Sequence, residues 1–134
     1  MLKYVAPMNK KGKITPNGVV LKAHENATAV FLTEQGFDVD LIPTSNIKGV
    51  HTPDIRMGGA KWEMKAPIGG GNQLMENTIQ KALKQSPNVI IDLRHTKRHQ
   101  VKCLRELEKQ FTSKKSIKRL KIITKSGKVI DFEK

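Results

Sequence analysis

The sequence predicts a mixed α/β fold, an α+β arrangement around one mixed sheet, on three observations. Segments of helical spacing and segments of strand pattern follow one another as helix, strand, strand, strand, helix, strand, then helix and hairpin. The chain has 134 residues, one domain's worth, and at that length a compact fold buries roughly two thirds of the surface its unfolded chain exposes. Cys103 is the single cysteine, which excludes an intramolecular disulfide framework and a Cys-based zinc cluster, so packing has to build the core.

Residues 1–18 are rich in Lys, Pro, Gly and Asn and lack a period, so they are expected to form a flexible leader ahead of a single domain over 19–134. Leu21, Ala27, Val30, Phe31 and Leu32 predict a helix from Val19 to Gln35, with Gly36 as its stop. Phe37 to Ile42 alternates as a half-buried strand does, and Pro43 ends it. Pro53 to Met57 and Ala60 to Ala66 form two short strands, and Gly58-Gly59 between them suits a tight hairpin turn.

Pro67 and Gly69-Gly70-Gly71 interrupt the pattern, and Asn72 is placed to cap a helix running to Gln85 through Leu74, Met75, Thr78, Ile79, Ala82 and Leu83. Val89 to Leu93 is a continuous apolar run broken only by Asp92, as in a strand buried on both faces. A second long helix is expected from Lys97 to Phe111, its stripe marked by Val101, Leu104, Leu107 and Phe111. Lys118 to Thr124 and Lys128 to Phe132 flank Ser126-Gly127 as a terminal hairpin. Trp62 and Cys103 are assigned to the core.

The charge is uneven. Of the +13 total, 13 Lys or Arg against four acids after residue 94 give +9, and 12 against eight before it give +4. A basic region of this density is the footprint of a polyanion or a solubilising surface. Aromatic residues make up 4% of the chain, which argues for phosphate contacts over a base-stacking platform. Arg94, Lys97, Arg98, Lys102, Lys114, Lys115, Lys118 and Arg119 are the candidate nucleic-acid contacts. No apolar run approaches the roughly 20 residues of a membrane span, and no signal-type stretch follows Met1, so the expected site of action is cytoplasmic, without membrane contact.

The strands around Gly58-Gly59 carry the chemistry. Period two places Glu63 and Lys65 on one face and Trp62 and Met64 on the other, and a hairpin lets Asp54 join the Glu63 side. Two carboxylates and an ammonium then share one patch. Oxygen ligands suit a hard divalent cation, and a neighbouring Lys orients water and offsets developing phosphorane charge. An acid and a lysine on a strand also form a plain surface ion pair, in which case the protein binds nucleic acid without cutting it. His95 and His99 have i, i+4 spacing but no further ligand, and Gly69 to Gly71 lack the Lys-Ser or Lys-Thr of a P-loop.

Pro53-Asp54 followed by Glu63-Met64-Lys65 resembles the PD-(D/E)xK motif of restriction-endonuclease-like nucleases, whose core order is also helix, three strands, helix, strand. The run from His24-Glu25-Asn26-Ala27 through Trp62-Glu63-Met64-Lys65, the Asn77 to Ser86 segment and Val89 to Arg94 is similar to the C-terminal nuclease domain of CdiA-type contact-dependent growth inhibition toxins. That resemblance implies a metal-dependent endonuclease that cuts structured RNA, tRNA above all, with DNA as the alternative. It implies Asp54, Glu63 and Glu25 as metal ligands and Lys65 as a further catalytic residue. Glu25 also fits a second role, that of a helix N-terminal carboxylate. The implied cofactor is Mg²⁺, with Mn²⁺ or Zn²⁺ as alternatives, and the implied protein partner is an acidic immunity protein.

Overall fold

The computed structural model describes residues 2–6 and 10–134. Eleven elements follow in order: β1 (Leu2–Val5), β2 (Ile14–Thr15), α1 (Ala23–Glu34), β3 (Val39–Leu41), β4 (Ile55–Met57), β5 (Ala60–Lys65), α2 (Leu74–Leu83), β6 (Asn88–Asp92), α3 (Gln100–Ser113), β7 (Arg119–Ile123) and β8 (Val129–Glu133). The stretch from α1 to β6 has the expected order of helix, three strands, helix, strand. All eight strands form one mixed sheet in the order β1-β8-β7-β6-β5-β4-β3-β2. β5, β6 and β7 run parallel, and antiparallel partners flank them.

Strands β6, β7 and β8 divide their side chains between two cores, and β3, β4 and β5 contribute to one of them. Ile55, Met57, Trp62, Met64, Ile90 and Ile123 pack on one face with Ala29, Phe31 and Leu32 of α1. Val89, Ile91, Leu120 and Ile122 pack on the other with Met75 and Ile79 of α2 and Cys103, Leu107 and Phe111 of α3. β6 lies between the layers and is buried throughout, as its apolar run predicts.

Local chemistry sets the turns. α1 stops where Gly36 adopts φ 101°, its N–H donating to Thr33 O at 3.0 Å while Phe37 N–H donates to Leu32 O at 3.1 Å, the paired bonds of a Schellman motif. Gly58 and Gly59 take φ 59° and 79°, the two positive values a type I′ hairpin needs to match strand twist.

Several expectations are corrected. The first 18 residues are not outside the sheet: β1 pairs with β8 and β2 with β3, supplying both edges. Backbone contact accounts for this where the sequence shows no period. Gly12 N–H donates to Thr33 O at 2.7 Å, and Lys13 O accepts from Val39 N–H at 2.8 Å. Residues 1 and 7–9 of the expected leader lie outside the described residues. Asn72 does not cap α2; Gln73 occupies the cap position without a side-chain bond. α3 begins at Gln100 rather than Lys97, whose N–H ties the preceding segment to the loop after β5 through Ile68 O and Gly69 O, at 3.0 and 3.1 Å. Val101 is 56% exposed, so the buried stripe of α3 is Cys103, Leu107 and Phe111 without it. The terminal hairpin forms, yet β7 sits inside the sheet, next to β6, with Lys121 buried. Trp62 and Cys103 are core residues as expected. Among the described residues no helix is long and apolar enough to cross a membrane.

Candidate active site

Asp54 is fixed from both sides before its side chain does anything. Its N–H donates to Trp62 O at 3.1 Å, and its carbonyl accepts from Ile42 N–H at 2.9 Å. The carboxylate then continues the ladder in place of a backbone carbonyl, Oδ2 accepting the Met64 N–H at 2.9 Å. Asp54 is thus held against the strand that carries the other two site residues. Glu63 is 5% exposed and projects with Lys65 from the face opposite Trp62 and Met64. Lys65 Nζ lies 3.4 Å from Glu63 Oε2.

The electrostatics of this cluster are unbalanced. Burial pushes the Glu63 carboxyl up to about 8, reinforced by the charge of Asp54 and only partly relieved by Lys65. Burial also raises Asp54, and Glu25 adds to the rise, against the Met64 N–H and Lys65. The Asp54 and Glu63 carboxyls are close enough for the charge of Asp54 to raise Glu63. Glu63 Oε1 is buried with no partner. Two acids crowded in this way, one with an orphaned oxygen, lack positive charge.

A hard divalent cation fits that deficit. The available donors are carboxylate oxygens, the set that Mg²⁺ or Mn²⁺ takes, whereas zinc sites favour nitrogen and sulfur. Among the described residues no three His, Cys, Asp or Glu side chains converge as a metal cage. The pair Asp54 and Glu63 therefore stands alone, in keeping with the habit of Mg²⁺ to take one or two carboxylates and fill its shell with water and phosphate oxygens. Glu25 occupies the first turn of α1, where its Oε1 accepts the Lys22 N–H at 3.3 Å. That is the helix-terminal position, and from there its charge raises Asp54.

The sheet end that holds this cluster is braced by a second network, centred on Asp92. Asp92 is fully buried at the end of β6 and accepts from Thr28 Oγ1 of α1 at 2.7 Å. Arg94 reaches both its oxygens, Nη2 at 2.8 Å and Nε at 3.0 Å. Burial pushes Asp92 up, but the bonds from Arg94 and Thr28 together outweigh it and its pKa is lowered. Arg94 also donates to Ala27 O at 3.1 Å and lies over the Phe31 ring. An acid in an apolar strand with an arginine two residues on is the sequence sign of such a pair, since a buried charge needs a partner. Nearby, His24 and His95 meet ring to ring at 4.5 Å.

The candidate phosphate contacts divide. Arg94 is committed to Asp92. Arg98 is committed to Glu106, at 2.6 and 2.8 Å, and to Gly70 O. Arg119 bonds Glu133 and Asn88. Lys97, Lys102, Lys115 and Lys118 are exposed and Lys114 half-buried. Lys97 stands at the site end of the sheet, beside the loop that leaves Lys65. Lys114, Lys115, Lys118 and Arg119 gather at the opposite end, where Lys118 N–H donates to Pro87 O at the start of β6.

A family model described as the contact-dependent growth inhibition CdiA C-terminal domain matches residues 51–129. That span contains Asp54, Glu63 and Lys65 and ends at the start of β8. Among solved structures, a chain of a CdiA-CT/CdiI toxin and immunity complex from Burkholderia pseudomallei superposes with a TM-score of 0.69 at 20% identity, covering 92% of this chain and 100% of that one. A likeness at that identity carries the mixed α+β fold. No curated protein matches the sequence.

Proposed function

The chain belongs to the contact-dependent growth inhibition CdiA C-terminal domain family, a family of toxin effectors, and from that premise we propose that it is a metal-dependent nuclease. The observation that carries this reading is the buried Glu63, one oxygen orphaned, beside Asp54 and 3.4 Å from Lys65 Nζ. Asp54 and Glu63 would hold the divalent ion, Mg²⁺ in preference to Mn²⁺ or Zn²⁺, which supplies Lewis-acid polarisation of a phosphodiester when bound.

The remaining work falls to the chain itself. The Met64 N–H holds Asp54 at a fixed angle, so the pair is organised before substrate arrives. Lys65 is one-third exposed at its side chain and so reaches solvent and substrate from the protein side of the cluster. There it orients the attacking water and offsets charge growing on the phosphate oxygens. Glu25 supports the pair from α1 through charge and through any water between them. Lys97 stands where a phosphate next to the cleaved one would lie.

The proposed substrate is structured RNA, with tRNA first and DNA as the alternative, and the proposed place of action is the cytoplasm. An acidic immunity protein is the proposed partner, by analogy with the complex whose toxin chain shares this fold. Purified protein incubated in parallel with tRNA, total RNA and plasmid DNA, with Mg²⁺, Mn²⁺ or Zn²⁺ and with EDTA, tests the reading. Cleavage at substoichiometric protein, stopped by EDTA, is expected. No cleavage of any substrate under any metal would remove it.

A further inference from the structure

We propose that the outer face of α3 is a docking track for the backbone of double-helical nucleic acid, leading away from the candidate active site. The inference rests on the nuclease reading for its direction and on the geometry of α3 for its substance. Lys102, Arg105 and Lys109 are exposed and share the outward side of the helix at i, i+3 and i+7. The ion pairs formed among the described residues leave all three without an acidic partner, because Glu106 is taken by Arg98. Glu106 and Glu108 flank that side, the first paired with Arg98 and the second exposed. A surface groove of about 560 Å³ along the helix is lined by Val101, Leu104, Arg105, Glu108 and Lys109.

Both ends of the track are defined. α3 starts beside the loop that follows Lys65, through the bonds of Lys97 N–H to Ile68 O and Gly69 O. It ends by delivering Lys114, Lys115 and Lys118 to the far end of the sheet. Fourteen helical residues at 1.5 Å each span about 21 Å. The cations are therefore held along a straight, rigid line that a stiff polyanion follows without being reshaped. A single strand would need stacking partners, and among the described residues the exposed large apolar side chains include one aromatic, Tyr4, on β1 at the sheet edge. An excess of cations, a straight course and the lack of aromatics on α3's outer face together favour duplex phosphates over a single strand.

The test measures binding in EDTA, so it does not depend on cleavage. The 134-residue protein and a Lys102→Gln/Arg105→Gln/Lys109→Gln variant are titrated with a labelled RNA hairpin of about 12 base pairs, long enough to cover α3, and with a six-nucleotide single strand. Unchanged thermal unfolding establishes that the variant is folded, as three exposed positions predict. The variant is expected to bind the hairpin at least tenfold more weakly, and its log–log salt dependence to flatten by about 2 to 3 at roughly 0.9 per lost phosphate contact. Binding of the short strand should stay within twofold. Equal hairpin affinity and slope in the two proteins would overturn the inference, as would an equal loss for the short strand. Weakened capture of an acidic immunity protein with the hairpin unaffected would also overturn it, assigning the ridge to a protein instead. A protein that cuts nothing but shows the hairpin-specific loss would refute the nuclease reading and leave the track standing.

Discussion

The Met64 N–H donates to Asp54 Oδ2 at 2.9 Å, so the strand that carries Glu63 and Lys65 also orients the first acid of the cluster. Three residues separated by a hairpin turn therefore move as one body.

Asp54→Asn keeps an acceptor for the Met64 N–H and removes the charge. Cleavage should fall on the order of a hundredfold or more, as for loss of a metal-organising carboxylate. Hairpin affinity in EDTA should not change. If cleavage persists near the original rate, Asp54 is no ligand.

Glu63 couples the cluster to pH. Its carboxyl is raised from the ordinary 4.5 to about 8, so between those values the folded protein holds a proton that the unfolded chain has released. That contribution to stability is complete below about pH 4.5 and is lost as pH rises through 8. The melting temperature of the metal-free protein should therefore decline from pH 5 to pH 9, less steeply in Glu63→Gln, and Mg²⁺ should restore the unmutated protein at the alkaline end. Parallel Tm-against-pH curves for the two proteins would contradict this.

The Asp92 network predicts the opposite sign. A lowered carboxyl contributes stability above its unfolded value, lost as pH falls through its folded one. Arg94→Met leaves Asp92 buried and unpaired and should cost about 3 kcal/mol in urea unfolding. Thr28→Val should cost about 1 to 2 kcal/mol. Adding Asp92→Asn to Arg94→Met should recover part of the loss, and a double variant as unstable as the sum of the singles would argue against coupling.

At Gly12 an added Cβ would lie 1.8 Å from Phe37 O. Gly12→Ala should displace β2 from β3 and destabilise the fold by about 1 to 3 kcal/mol, whereas Gly71→Ala, with open space at its Cβ, should be near neutral. Equal melting temperatures for the two variants would mean that the N-terminal segment is not seated as described.

Sequence carried the central elements because their signals are local. Period two showed the face shared by Glu63 and Lys65, Gly58-Gly59 showed the turn, and Gly36 showed the end of α1. Edge strands β1 and β2 escaped because their pairing is made by backbone groups, which leave no hydrophobic period in residues 2–15. Arg94, Arg98 and Arg119 looked like free cations for a related reason. Their partners Asp92, Glu106 and Glu133 lie close in sequence or across a hairpin, and charge counting does not distinguish an exposed guanidinium from one already paired.

The seating of β1 on β8 has a consequence for the order of folding. Leu2 lies opposite Phe132, so forming that pair first would close a loop of about 130 residues, an entropic cost of about 4 kcal/mol before any neighbour helps. Once the other strands are in place, β1 only has to dock on a sheet edge that is already formed. It is thus the last strand to join and the first to fray, and three strands, β8, β7 and β6, stand between it and β5. Amide exchange at Leu2–Val5 should run far ahead of exchange at β5, with the carboxylate pair undisturbed while the edge opens and closes.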